Sequence, residues 1–157
     1  MSTDGNENIG YIVGVTGPVV DVAFEKGHLP KIRECLRVVV GKETRVMEVA
    51  QHIGGDAVRC VMMGASEGLS RDMKVTATGE SIHVPVGDAV LGRLFNVLGD
   101  PIDGGEALPA GVTRRSIYQP SPAYVDRKTS EEVLETGIKV IDLLAPYAKG
   151  GKIGLFG

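Results

Sequence analysis

Apolar residues alternate with small or polar residues along the first half of the chain. Residues 9–15 and 20–24 follow this period of two, and a Gly17-Pro18 turn separates them. The alternation recurs within 36–40, 44–53, 57–63 and 74–78, between glycine-rich turns. A period of two is typical of strands with one buried face, and short strands at such intervals favour a small barrel or sandwich. The pattern therefore predicts an all-β domain over residues 9–82, after a disordered N-terminus at 1–8.

Two glycines inside the first predicted strand favour the closed form of that sheet. Gly10 and Gly14 alternate there with apolar residues. Glycine within a strand often marks a tight bend or a close approach of two backbones. A closed sheet also leaves no long strand edge open to other chains. These features favour a barrel, with a sandwich as the alternative.

The pattern changes in the second half, residues 83–157. Pro85 confines the extended segment 82–87 to an edge or a crossover, and residues 88–98 have helical or bent-strand spacing. Five of the eight prolines lie between 101 and 146, so residues 101–126 are predicted to be mostly loop. Residues 136–146 are predicted to form a short helix that Thr136 caps, and 152–156 an apolar strand that ends at Gly157.

Composition and charge exclude several classes of protein. The net charge is −3 and aromatic residues make up only 4% of the chain, which argues against a domain that coats nucleic acid. No apolar run has the length of a membrane-spanning helix, and the polar N-terminus is not a secretion signal. The two cysteines, Cys35 and Cys60, are interpreted as core thiols of a protein in a reducing compartment.

The side chains that could carry chemistry have simpler structural interpretations. The three histidines, His28, His52 and His83, lack the spacing of metal ligands, so we predict no metal site. Asp100 and Asp103 flank a Pro turn. Their presence is better explained by hydrogen bonds that stabilise the turn than by catalysis with a pair of carboxylates.

Other residues divide between packing and surface roles. Arg114-Arg115 is interpreted as solvated loop charge, with a subunit or phosphate contact as the alternative. We expect the Met62-Met63 pair to be strand core and Asp142 to be an exposed or capping carboxylate. The remaining candidates are tyrosines near prolines, for which loop packing is favoured over nucleotide stacking: Tyr118, Tyr124 and Tyr147.

The last strand suggests nucleotide chemistry only weakly from its spacing. A buried strand that ends in glycine is how a phosphate-binding loop of the form Gly-x-x-x-x-Gly-Lys-Ser/Thr begins. Gly157 can be only the first glycine of such a loop, and it is the single predicted nucleotide-binding residue. No catalytic residue is assigned.

Several separated motifs, in the right order over residues 9–157, resemble the beta subunit of the rotary F-type ATP synthase. The longest are residues 135–147 with 149–157 and residues 91–103, and shorter matches lie at 10–13, 17–22, 48–52 and 68–69. The non-catalytic alpha subunit is expected to differ at 143–147 and 152–156, so the beta subunit is preferred.

This resemblance implies a six-stranded barrel followed by the incomplete start of a RecA-like α/β nucleotide-binding domain at 83–157. It implies a parent enzyme that uses Mg-ATP, Mg-ADP and phosphate and couples ATP synthesis or hydrolysis to rotation and proton transport. The implied partners are alpha subunits in an alternating hexamer and a central gamma stalk, with no nucleic acid and only an indirect link to the membrane. The implied location is the cytoplasmic face of the bacterial inner membrane, or an organelle inner membrane after removal of a transit peptide.

Two further hypotheses stay open at the level of sequence. One is a related ring ATPase: an export ATPase, a vacuolar-type subunit or a termination helicase. The other is a stand-alone barrel that acts as a binding module. The resemblance also implies that the chain stops where the phosphate-binding loop begins, so the 157-residue chain alone is predicted to be inactive.

Overall fold

A computed structural model describes residues 7–126 and 132–157 of the chain. The chain divides into two compact units, Met1–Gln119 and Pro120–Gly157. The predicted boundary at 82/83 thus lies inside the first unit. The strands of that unit that form the barrel are β1 (Ile9–Thr16), β2 (Val19–Phe24), β3 (Cys35–Val40), β4 (Glu43–Gly54), β5 (Ala57–Met62) and β6 (Lys74–Ala77).

The six strands form a closed antiparallel barrel in the order β1-β2-β5-β4-β3-β6. Pairing of Gly10 with Val75 joins β1 to β6 and closes the sheet. Because every strand has two neighbours, the barrel leaves no unpaired strand edge. The predicted closed barrel is confirmed, and each strand predicted for the barrel lies within about two residues of an observed one.

The inward residues of the six strands form one core. On β4, Met47 and Val49 are fully buried, whereas Ala50, the residue after Val49, is exposed. The core is aliphatic, with one aromatic ring and one thiol, and consists of Ile12, Val20, Val22, Phe24, Leu36, Val38, Met47, Val49, Val58, Cys60, Met62 and Val75. Burial of these aliphatic side chains is the main favourable contribution to folding.

The tight turns explain part of the glycine content. Gly55 and Asp56 connect β4 to β5 in two residues and both have positive φ, 61° and 57°. Such two-residue turns match the twist of paired strands when both central residues have positive φ. At Gly10 the reason is different: a Cβ built there would lie 2.7 Å from the carbonyl oxygen of Ala23.

One irregularity of β1 was not predicted. Its register against β2 shifts between Ile12 and Gly14, so Val13 has no direct partner on β2. This is the pattern of a β-bulge, in which one extra residue bends the strand.

The rest of the first unit is a small sheet with a long loop. Strands β7 (His83–Pro85) and β8 (Arg114–Ser116) pair with each other. The helical or bent-strand prediction for residues 88–98 is wrong over most of its length. Only Asp88–Val90 forms a turn of 3₁₀ helix, and Phe95 makes an isolated bridge to Pro101. Three of the five apolar residues at this spacing, Leu91, Leu94 and Val97, are 73%, 59% and 62% exposed.

The second unit contains β9 (Val133–Leu134), β10 (Tyr147–Ala148) and helix α1 (Lys139–Leu144). Here the helix is shorter than the predicted 136–146, and Thr136 does not cap it. The N-cap residue is Ile138, and the Thr136 hydroxyl donates to the Asp142 carboxylate instead. Asp142, expected to be exposed or capping, is half-buried and makes no cap bond to the helix. Its carboxylate accepts from the backbone N–H groups of Thr136 and Gly137, which precede the helix.

The predicted strand over residues 152–156 is absent from the structure. Residues 151–157 are exposed and have no regular secondary structure. A strand needs backbone hydrogen bonds from a neighbour, and no described residue pairs with this segment. The apolar pattern alone could not supply that neighbour.

The disordered N-terminus predicted at 1–8 lies mostly outside the described residues, which begin at Glu7. Asn8 is tied to the barrel, because its side-chain amide donates to the His28 carbonyl and its own carbonyl accepts from Ala77. Helices of the described ranges are all too short or too polar to cross a membrane.

Candidate functional site on the outer face of the barrel

The most distinctive surface of the barrel lies where β1, β2 and β5 adjoin. Tyr11, Val13 and Val61 are 53%, 43% and 37% exposed. Between them lies the cross-strand pair of Asp21 on β2 and Arg59 on β5. We call these five residues the outer patch. Large apolar side chains around a fixed ion pair are a common composition for a protein interface.

The ion pair at the centre of the outer patch is bidentate. Arg59 Nε and Nη2 donate to the two Asp21 carboxylate oxygens at 2.8 and 2.9 Å. This hydrogen bonding from Arg59 lowers the pKa of Asp21. Both groups therefore stay charged near neutral pH, and each charge has its counter-charge within the same barrel.

The cysteines are buried and free, as predicted. Burial raises the pKa of the Cys60 thiol to about 12 and also raises the pKa of Cys35. Thiols of this kind are poor nucleophiles, because the thiolate is the reactive form. The two cysteines therefore act as small core residues.

The histidines make backbone contacts. His52 Nε2 lies 2.8 Å from the Pro30 carbonyl, and His83 Nδ1 lies 2.8 Å from the Ser81 carbonyl. Among residues 7–126 and 132–157, no three His, Cys, Asp or Glu side chains are grouped so that they could hold a metal ion.

The predicted nucleotide-binding residue, Gly157, lies in the exposed end segment of the second unit. A Cβ built at Gly157 would meet no atom within 4 Å, so no cradle for phosphate surrounds it among the described residues. A phosphate loop requires several backbone N–H groups that converge on one point. The assignment of Gly157 stays a prediction, and we derive no step of nucleotide chemistry from these residues.

The two aspartates at the predicted turn have separate structural roles. Asp100 accepts a hydrogen bond from the Asn96 side chain at 3.1 Å. Asp103 forms a bidentate pair with Arg93, with Arg93 Nη2 and Asp103 Oδ1 2.9 Å apart, and Oδ1 also accepts from the Gly105 N–H. The prediction of turn chemistry is confirmed, although Arg93 was not recognised as the partner of Asp103. An arginine ten residues before an aspartate is a signal too common to single out such a pair.

The Arg93–Asp103 pair should make the loop around it sensitive to acid. The hydrogen bond from Arg93, followed by that from the Gly105 N–H, lowers the pKa of Asp103. The pKa of Asp103 in the folded chain lies below its unfolded value of about 4. The stabilisation that the Arg93–Asp103 pair gives to the loop is therefore present above about pH 4, and it is lost as the pH falls through the folded pKa. We expect the amide NMR shift of Gly105 to change in this acid range and to lose that step in Asp103→Asn. Persistence of the step in Asp103→Asn, with Asp88→Asn as control, would contradict this role.

Tyr118, for which loop packing was favoured, contacts the barrel instead. Its hydroxyl donates to Glu48 Oε1 at 2.6 Å, and the Arg33 guanidinium lies 4.5 Å from its ring centroid. The hydrogen bond to Glu48 raises the pKa of Tyr118. A cation over an aromatic face adds a modest attraction.

The other candidates are mostly exposed. Arg114 and Arg115 lie on β8, where Arg114 donates to the His83 carbonyl at 3.3 Å and Arg115 to Gln119 at 3.5 Å. Their interpretation as surface charge fits these long contacts, and a subunit or phosphate contact stays untested.

The methionine and tyrosine candidates differ in burial. Met62 is core as predicted, whereas Met63 is half-buried. Tyr124 is 85% exposed, so it contributes little packing to its loop, and Tyr147 is half-buried on β10.

The fold first defines a class: a six-stranded closed antiparallel barrel domain near the N-terminus. Residues 12–79 match the family model described as the ATP synthase alpha/beta family, beta-barrel domain. The matched range covers β2–β6 in full and β1 from its fourth residue. The match supports membership of the barrel in the alpha/beta family of ATP synthase, and it applies to alpha and beta subunits alike.

Proposed function

We propose that this chain is part of the catalytic beta subunit of a proton-translocating F-type ATP synthase, and that its barrel holds a ring of alternating alpha and beta subunits together. The observation that carries the proposal is the family match over residues 12–79, which coincides with the closed barrel. The choice of beta over alpha rests on the sequence motifs at 135–147 and 149–157.

In this proposal the whole subunit binds Mg-ATP, or Mg-ADP and phosphate, and contacts a central gamma stalk. It lies at the cytoplasmic face of the bacterial inner membrane, or at an organelle inner membrane. In hydrolysis ATP would give its terminal phosphoryl group to water, and in synthesis phosphate would give it to ADP with release of water. We assign no catalytic step to the described residues, and the role proposed for the barrel is structural.

The outer patch supports a structural role for the barrel in such a ring. In a ring of alternating subunits each barrel contacts its neighbours through defined faces. Tyr11, Val13 and Val61 supply exposed apolar area, and Asp21 and Arg59 already form an ion pair with each other. A neighbour can therefore cover the outer patch without leaving a charge unpaired.

Binding of the alpha subunit tests this role. The 157-residue chain should bind purified alpha subunit from the same source, and Val13→Glu should weaken that binding by about tenfold or more, because it places a charge in the apolar patch. Thr44→Glu adds the same charge on an exposed part of β4 and serves as control. Equal binding by both variants removes the outer patch from the proposal, and no binding by the unaltered chain removes the ring role.

We expect the isolated chain neither to hydrolyse ATP nor to bind it tightly. The reason is that Gly157 stands alone, without converging backbone donors around it. Calorimetric titration with Mg-ATP and a phosphate-release assay measure both properties, with the whole source subunit as positive control. Turnover, or saturable binding in the micromolar range, by the pure chain would contradict the expectation.

A further inference from the structure

Residues 80–119 form a thinly packed segment beside the barrel, which we call the strap. Its strands β7 and β8 pair only with each other and not with any barrel strand. Of its side chains only those of Ile82 and Pro85 are buried, and Ile82 does not belong to the barrel core cluster. Segments with few buried apolar contacts open locally at a lower free energy than the core to which they are attached.

Each end of the strap is fastened to the barrel by specific contacts. At the first end the Cys35 N–H donates to the Glu80 carbonyl at 2.8 Å. At the second end the Tyr118 hydroxyl donates to Glu48 at 2.6 Å, beneath the Arg33 guanidinium. The two ends are joined to each other, because the Ile117 N–H donates to the Ile82 carbonyl at 3.0 Å. Release of one end therefore loosens the other.

We propose that the strap opens from the barrel as one unit while the barrel stays closed, and that the Tyr118 side chain is the latch that controls this opening. The barrel does not need the strap for closure, since β6 pairs with β1 and β3. Between strap and barrel lies a cleft of about 330 Å³, lined on the barrel side by Cys35 and Arg37 and on the strap side by Ile82, His83 and Arg114. Opening of the strap uncovers this cleft and with it the Cys35 thiol, which is 8% exposed when the strap is closed.

The two cysteines of the chain report the opening. Cys35 lies at the cleft, whereas Cys60 is fully buried within the barrel core. In the unaltered full chain, iodoacetamide should label Cys35 faster than Cys60, as measured by mass spectrometry of the two peptides. Amide hydrogen exchange provides a second readout: the N–H groups of Val86 and Ile117 should exchange before those of the core strands.

Tyr118→Phe tests the latch. Loss of one hydrogen bond to a carboxylate should speed Cys35 labelling and strap exchange by about fivefold, with Cys60 and the core amides unchanged. Because the labelling rate of Cys35 is compared between variants, the intrinsic reactivity of this thiol does not affect the ratio. Tyr124→Phe is the matched control, because the Tyr124 hydroxyl is highly exposed and the described residues offer it no hydrogen bond.

Two results would overturn the proposal. Equal protection of Val86, Ile117 and the core amides in the unaltered chain would mean that strap and barrel open only together. An effect of Tyr118→Phe on Cys35 no larger than that of Tyr124→Phe would remove Tyr118 as the latch. Faster labelling of both cysteines in Tyr118→Phe would likewise contradict a local opening.

Discussion

Replacement of Leu36 by alanine should lower the free energy of unfolding of the barrel by about 2–5 kcal/mol. Leu36 is fully buried on β3 and belongs to the single core cluster of the barrel. Truncation removes apolar area from the core and leaves a cavity that a closed sheet can fill only in part, because its strands are held on both sides. Denaturant unfolding followed by far-UV circular dichroism measures the loss.

The control for this variant lies on the same strand. Val39 faces outward and is 60% exposed, so Val39→Ala should change the free energy of unfolding by less than about 0.5 kcal/mol. A similar loss in the two variants would show that the inward and outward faces of β3 have been assigned wrongly.

Gly10→Ala should destabilise the barrel by about 1–3 kcal/mol, although it adds only one methyl group. The new Cβ would lie 2.7 Å from the Ala23 carbonyl oxygen and 2.8 Å from the Phe24 ring. A backbone oxygen in a paired strand cannot move aside as a flexible side chain can, so β1 and β2 must separate locally. Thermal and denaturant unfolding measure the change.

Gly14→Ala is the matched control for Gly10→Ala. Gly14 lies on the same strand, but a Cβ there would meet its nearest atom, in Asp21, at 3.8 Å, which is ordinary contact. The two glycines look alike in the sequence, but we expect their alanine variants to differ in the free energy of unfolding. If Gly14→Ala costs as much as Gly10→Ala, the close approach of Gly10 to β2 does not explain the need for glycine.

The strands of the barrel were predictable from sequence because their pattern is local. Buried Met47 and Val49 flank half-buried Glu48, and a glycine marks the two-residue turn at Gly55. Alternation alone left a barrel or a sandwich open, because closure depends on distant pairings such as that of β1 with β6; the number of strands and the closure came from the family resemblance. The bulge at Val13 escaped prediction because it depends on the register of β1 against β2, which the alternation of one strand does not encode.

The contacts outside the barrel were less predictable because they depend on tertiary neighbours. Tyr118 and Glu48 are 70 positions apart, and no local pattern pairs them. At Thr136 the local rule competed with another partner: a threonine before a helix normally caps it, but here its hydroxyl bonds to Asp142. The segment 152–156 has the composition of a strand and none of the neighbours that a strand needs.

We propose that this barrel belongs to the catalytic subunit of a rotary ATP synthase. The most direct measurement is mass-spectrometric sequencing of the intact source protein through the residues that follow Gly157. We expect a Gly-x-Gly-Lys-Thr continuation to complete the phosphate-binding loop there. Residues without this pattern after Gly157, in a protein that purifies without alpha subunits, would contradict it.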